Sequence, residues 1–320
     1  MERVPLISVL MAVYHPPINW LEEQLYSLDL QSYPALELLI CDDCPEYPVE
    51  EEIFKRCVKK IPWRLIRNSY NEGSNKAFER LTMMAQGEYI AYCDQDDIWH
   101  PDKIEKLYRA LRQNPKAGLV CADMCVIDAQ GRKKAESIRE IRSKLRFGEG
   151  AGLFPQLLRS NFVTGCDMLI SADLAREAVP FCPFLVHDHW LAIYVSTEHE
   201  IGFVPESLID YRIHDKNQTG VLSGVNSRAD YVKLCLFKPL QAMTWLENFY
   251  KESAEKVAEI QKIQNWYRAR IAHYHGSWAA TASIWRGREL GKLSALFDLI
   301  GPYLPEWLFL KAISFRRNRG

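Results

Sequence analysis

Asp94-Gln95-Asp96-Asp97 sets three carboxylates side by side, directly after the apolar run Tyr89–Cys93 and before Ile98-Trp99 and a helix opened at Pro101. Carboxylates this close repel one another unless a cation joins them, and a divalent ion shared with ligand phosphate oxygens resolves the conflict. An isolated acidic turn more often only caps a helix, so its place after a buried strand is what gives it weight. A second pair, Asp42-Asp43, follows the run Leu38–Cys41 and is closed by Pro45. Such strand-end carboxylates either accept hydrogen bonds from a ribose or base or form an Asx turn. Between the two pairs lies Asn68-Ser69-Tyr70-Asn71-Glu72-Gly73-Ser74. There Gly73 suits positive φ, and the helix after it can offer amides to phosphate. Cys41 and Cys44 have no second pair at zinc spacing and read as strand-end thiols.

Farther on, Asn161-Phe162-Val163-Thr164-Gly165-Cys166 leads into the apolar run Met168–Ile170. In His187-Asp188-His189-Trp190, two imidazoles and an indole surround a carboxylate. Partly desolvated, Asp188 would be a general base; otherwise it caps a helix. In Tyr211-Arg212-Ile213-His214-Asp215-Lys216-Asn217-Gln218, the Arg212 fork suits phosphate and His214 suits a metal, although a plain surface loop has the same composition.

The elements that must position these residues alternate. Strand-like runs at Leu6–Tyr14, Glu37–Cys41, Trp63–Arg67, Tyr89–Cys93 and Gly118–Cys125 are separated by helical periodicity, for example Leu21, Leu25 and Leu28. This pattern predicts an α/β fold, Rossmann-like, with a mostly parallel sheet covered by helices on both faces and ligands beyond the carboxyl ends of its strands. Asp128-Ala129-Gln130-Gly131 reads as a turn and the charged stretch Arg132–Lys144 as a surface connection. A second pattern runs from Leu153 to Tyr211. From Asp230 onward the chain reads as helices with stops at Pro239, Gly276 and Gly287.

With 320 residues and a net charge of -1, the chain has material for a large core and lacks the basic surplus of a nucleic-acid binder. Nine cysteines, an odd number without framework spacing, point to a reducing compartment, hence the cytoplasm. Leu6–Val13 lacks the flanks of a signal peptide, and no apolar run approaches the length of a membrane span.

Taken in order, Val9–Tyr14, Ile40–Asp43, Asn71-Glu72-Gly73 and Gly87–Ile90 leading into Asp94–Asp97 resemble the blocks of family-two, GT-A-fold inverting glycosyltransferases. Thr164-Gly165-Cys166, His187–Trp190 and Tyr211–His214 resemble the later blocks of bacterial rhamnosyltransferase-like members. The resemblance spans about residues 5–220. It implies a catalytic domain over 1–220, with a nucleotide-sugar half at 1–130 and an acceptor half at 151–220, followed by a helical region at 221–320. It implies donor contacts from Tyr14, Asp42, Asp43, Asn71, Gly73, Asp94, Gln95 and Arg212. Asp94, Asp96, Asp97 and His214 would hold Mn²⁺ or Mg²⁺, and Asp188 would be the catalytic base. Thr164, Gly165, Cys166, His187, His189 and Trp190 would face the acceptor. The donor would be a dTDP- or UDP-sugar, and the acceptor a glycan or lipid-linked oligosaccharide of bacterial surface polysaccharide. In place of an arginine that many members carry in the helix after the Asn-x-Gly block, this chain has Ser74-Asn75-Lys76.

Two other readings fit parts of the pattern. A sugar nucleotidyltransferase would carry a Gly-rich basic loop after strand one, where this chain has Tyr14-His15-Pro16-Pro17. A non-catalytic glycan-binding protein would not need the acidic set together with Asp188. Leu293–Phe315, rich in Leu, Phe and Trp and followed by Arg316, Arg317 and Arg319, suits an anionic membrane surface. Packing on the catalytic domain or in a homodimer interface accounts for the same composition, and Pro302 and Pro305 interrupt the stretch.

Overall fold

The computed structural model describes residues 3–215, 222 and 224–317. Lys216, Asn217, Gln218 and Arg319, and the expected boundary at residue 220, lie outside them. The chain forms two compact units, one of residues 1–157, 161–181 and 186–216 and a second of the remainder.

The first unit is built on β1 (Ile7–Val13), β2 (Leu36–Asp42), β3 (Trp63–Arg67), β4 (Tyr89–Cys93), β5 (Ile98–Trp99), β6 (Ala117–Ile127), β7 (Lys133–Ala135), β8 (Met168–Ser171) and β9 (Glu200–Arg212). Its helices are α1 (Ile18–Asp29), α2 (Glu51–Cys57), α3 (Ser74–Met84), α4 (Lys103–Gln113), α5 (Ile138–Ile141), α6 (Phe154–Leu157), α7 (Ala172–Glu177) and α8 (His187–Val195). The strands form one mixed, mostly parallel sheet in the order β3-β2-β1-β4-β8-β6-β9-β5, with β7 on β6. Strands β1, β2, β4, β6 and β9 run in one direction, and β8 runs against its neighbours β4 and β6. Residues after β1, β2, β4, β6 and β9, and those just before β8, therefore share one edge. Asp42-Asp43, the turn Asp94–Asp97, Thr164-Gly165-Cys166 and Ile213-His214 lie there, whereas Gly87–Ile90 opens β4 and His187–Trp190 opens α8. β1 and β2 are buried along almost their whole length, which is why they read as unbroken apolar runs.

One expectation changes in this unit. The stretch Arg132–Lys144 is not a plain connection, because it holds β7 and then α5, whose start is fixed by a capping box between Ser137 and Glu140. The thirteen-residue β9 carries Gly202 and Pro205 inside it. Its register against β6 jumps from Val204 opposite Ala122 to Ser207 opposite Asp123, an irregularity that takes up the proline, which cannot donate to the ladder.

The second unit contains α9 (Arg228–Tyr231), α10 (Lys238–Phe249), α11 (Ala254–Tyr274), α12 (Ala280–Arg286), α13 (Lys292–Ile300) and α14 (Glu306–Arg317). Tyr231, Leu236, Phe309 and Ile313 form its core, beside a buried ion pair between Arg270 and Asp298 that also receives the Tyr231 hydroxyl at 2.8 Å. Pro239 does not stop a helix, contrary to expectation. A π-helical stretch, Val232–Phe237, joins α9 to α10, and the helical run continues through the proline in the first turn of α10.

Candidate active site

The turn after β4 is held from three sides. Gln95 grips the backbone after β1, accepting from the Tyr14 N–H at 2.8 Å and donating to the Tyr14 carbonyl at 3.3 Å. Asp97 is wholly buried, and its Oδ1 accepts from the Arg212 N–H at 2.9 Å. The Asp96 carboxylate meets His214 Nε2 at 2.8 Å, and the His214 ring lies against Trp20 of α1. The His214 contact joins residues 118 apart in sequence, because β4 and β9 end on the same edge.

The four expected metal ligands separate into two groups. Asp96 and His214 form the outer pair. Asp94 and Asp97 form an inner pair with the Cys166 thiol, the ligand atoms of these three lying within 4.8 Å of one another. Burial, then the charges of Asp96 and Asp188, push the Asp94 carboxyl up to about 7. Burial also drives Asp97 and the Cys166 thiol well above their ordinary values. A protonated thiol donates to carboxylates and is no ligand for a hard cation. Asp97 Oδ2 is buried without a hydrogen-bond partner. Mutually repelling carboxylates with an unsatisfied oxygen, and an imidazole beside one of them, are a donor set that fits Mg²⁺ or Mn²⁺. Two ligand atoms on an octahedral ion of this size sit about 3 Å apart, as the Asp96–His214 pair does.

Asp188 lies in the first turn of α8, buried, with Oδ2 accepting from the Gly165 N–H at 2.9 Å and Oδ1 from Asn161 Nδ2 at 3.0 Å. Burial outweighs these hydrogen bonds and pushes its carboxyl up to about 6. Only glycine fits at 165, since a Cβ there would stand 2.5 Å from His187 Nε2. Because its charge bears on Asp94, Asp188 stands in the same electrostatic field as the acidic turn, although 94 residues separate them in sequence.

Asp42 and Asp43 accept hydrogen bonds from two different loops. Asp42 accepts from the Cys44 and Val49 N–H groups, the turn role that sequence left open. Asp43 accepts from Asn68 Nδ2 at 2.7 Å and from the Glu72 and Gly73 N–H groups, fastening the loop after β3. In that loop Gly73 takes φ +83 ahead of α3, and the exposed Asn71 accepts from its N–H. Tyr14 is half exposed at the same edge. Arg80, in α3, reaches Asn68 and Glu72.

Three donor and acceptor expectations are corrected. Arg212 is 1% exposed, and its guanidinium is turned inward onto the Asp96 and Asp128 carbonyls and the Glu23 carboxylate, so it braces the site and does not reach a phosphate. Trp190 is fully buried, with its indole N–H on the Ala178 carbonyl. Cys166 is fully buried beneath Asp94 and Asp97, so neither its side chain nor that of Trp190 can touch an acceptor. His189 commits Nε2 to the Leu157 carbonyl at 2.6 Å. Burial lowers His187 to about 3, leaving a neutral ring packed between Phe78 and Tyr92. Of the expected acceptor set, Thr164 is half-buried, and Gly165 contributes through its backbone.

Sequence reading missed Asn161 as the partner of Asp188, and it missed Lys103. The Lys103 ammonium is fully buried over the Trp99 ring, donates to the Cys166 carbonyl and lies 4.0 Å from Asp167, fixing the turn that presents Gly165. No signal marks it, because a lysine in an amphipathic helix reads as solvent-facing.

A mixed, mostly parallel sheet with helices packed on it and carboxylates at one edge is an arrangement of the GT-A type. The model of Glycosyl transferase family 2 matches residues 8–177, more than half of the chain, and the protein belongs to that family. It is 24% identical over 317 residues to the dTDP-rhamnosyl transferase RfbG of Shigella flexneri, covering 91% of this chain and 99% of that one. An uncharacterized glycosyltransferase of Methanocaldococcus jannaschii is 26% identical over 71% of this chain and 77% of its own. Among solved structures, S. aureus TarS 1-349 in complex with UDP-GlcNAc superposes with TM-score 0.59 at 14% identity, covering 93% of this chain and 82% of that one. The mannosyltransferase PcManGT of Pyrobaculum calidifontis, in complex with GDP-Man and Mn²⁺, gives 0.56 at 14% identity over 99% and 88%. At these identities the likeness establishes the GT-A fold alone.

Proposed function

We propose that the protein is an inverting glycosyltransferase that moves a sugar from a dTDP- or UDP-sugar to a glycan or lipid-linked acceptor, with Asp188 as the base. The observation that carries this reading is the buried Asp188 carboxylate, held by Gly165 and Asn161 and sharing the field of Asp94. A carboxylate oriented by two donors and raised to about 6 is ionised near neutral pH, yet basic enough to take a proton from an attacking hydroxyl. The hydroxyl then attacks the anomeric carbon opposite the diphosphate, so configuration inverts in one displacement. A divalent cation held by Asp94, Asp96 and His214, with Asp97 behind them, would neutralise charge building on the departing diphosphate. Gln95 and Asp43 hold the loops after β1 and β3 against which the nucleotide would lie. The likeness to RfbG, a dTDP-rhamnosyl transferase, supports a deoxyhexose on dTDP.

Asp188→Asn should keep the carboxamide in place and lower transfer by about 10²–10⁴-fold, while calorimetry finds donor affinity unchanged. Loss of donor affinity in that variant, or retained transfer, would overturn the assignment of the base.

A further inference from the structure

Eight of the nineteen large apolar side chains exposed among the described residues fall between Trp278 and Phe315. They are ordered by helical faces. In α13, Ala295 and Asp298 point into the core, while Leu293, Leu296 and Ile300, spaced three and four apart, form the outer face. In α14, Phe309 and Ile313 are buried. Trp307, Lys311 and Phe315, four apart, form the outward stripe, and Trp307 is 67% exposed. Both helices thus bury one apolar face and present a second to the outside, where a globular helix carries polar residues.

We infer that these outer faces of α13 and α14 dock on an anionic lipid surface. Exposed cations lie on these helices or just before them in the chain: Arg286, Arg288, Lys292 and Lys311, against exposed Glu289 and Glu306, of which Glu306 is engaged by Arg228 at 3.5 Å. Lys311 separates a protein partner from a membrane. Lying between Trp307 and Phe315, its ammonium would be stripped of water at the centre of a dry interface, whereas a headgroup layer receives it as the alkyl stem lies along the acyl boundary. Tryptophan at that depth places its ring in the interface and its N–H among polar headgroups. No helix of the described residues is long and apolar enough to cross a membrane, so the contact is a lateral one.

The test is flotation of the full chain with vesicles of phosphatidylcholine alone and with about one third phosphatidylglycerol. The chain should float with the anionic vesicles, release at about 0.5 M salt, and leave neutral vesicles largely unbound. The Leu293→Ser/Leu296→Ser/Ile300→Ser variant should lose binding by on the order of tenfold or more with an unchanged thermal melt, and Lys292→Glu/Lys311→Glu should lose about as much. Asp188→Asn should float like the parent, which separates this inference from the transferase reading. The inference falls if the parent chain stays in the soluble fraction or if the serine variant floats equally well. It also falls if the parent sediments as a dimer that the serine variant converts to monomer, because a second copy would then cover the face.

Discussion

As the proposed base, Asp188 would work only while ionised, and the same burial that makes it basic limits the pH range over which it is ionised. With its carboxyl raised to about 6, kcat/KM for transfer should climb with pH through that value and level off above it. Asn161 stabilises the charged form by donating at 3.0 Å, so Asn161→Ala should move the limb upward by about one pH unit, the worth of a charge-assisted hydrogen bond of about 1.4 kcal/mol. The variant should therefore be slow near pH 6 and recover the parent rate near pH 8. Asn161 also donates to the Val163 carbonyl at 2.7 Å and accepts from the Val163 N–H at 3.0 Å, so a rate lowered equally at every pH would show that it acts only by holding that loop. At this scale the sequence was informative about types and silent about direction. It marked Asp188, Asp96 and His214 through their neighbours in the chain. Whether a side chain faces a cleft or a core depends on partners far away in sequence, so Arg212, Trp190 and Cys166 carried polar or aromatic chemistry in the sequence and proved to be buried supports.

At the scale of elements, the end of β9 ties the site together. Arg212 links β9 to the acidic turn through the Asp96 carbonyl, to the turn after β6 through the Asp128 carbonyl and to α1 through Glu23. Arg212→Met should cost about 2–4 kcal/mol, since it leaves buried carbonyls unpaired while the half-exposed Glu23 regains water. Differential scanning calorimetry should record a fall in Tm on the order of 5–10 °C. Arg212→Lys should recover little of this, because one ammonium cannot replace a fork with three separate acceptors. A lysine variant of parental stability that binds donor weakly would restore the phosphate role instead. Strands β1, β2 and β4 were legible because buried parallel strands are continuous apolar runs, and the edge strand β3 because Trp63, Leu65 and Ile66 still stand out between its exposed arginines. β9 was not, since Gly202 and Pro205 interrupt it and its middle residues are exposed. β5 has two residues, too few for any period, and exists because β9 gives it a partner. The Ser137-x-x-Glu140 box was a readable start signal for α5, hidden in a stretch whose charge suggested only a surface connection.

For the molecule as a whole, a net charge of -1 conceals an uneven distribution. Carboxylates from Asp94, Asp96, Asp97 and Asp188 converge where the sheet ends, and their repulsion is carried by the folded state alone. A ligand that relieves it must stabilise the fold in proportion to its occupancy. Nucleoside diphosphate and Mn²⁺ together should therefore raise Tm far more than either alone, because the metal neutralises the diphosphate as well as the carboxylates. At a concentration of about 100 times Kd the added stability is about 2.7 kcal/mol. A thermal-shift screen of UDP, dTDP and GDP, each with and without Mn²⁺, would then rank the bases by the pocket's own preference. Asp96→Ala and His214→Ala should each abolish the Mn²⁺-dependent part and leave any metal-independent nucleotide shift intact, since the Asp43 and Gln95 contacts remain. Full transfer in the presence of a chelator, or Mn²⁺ stabilisation that survives both substitutions, would mean that the charge is balanced by some group other than a cation at this pair.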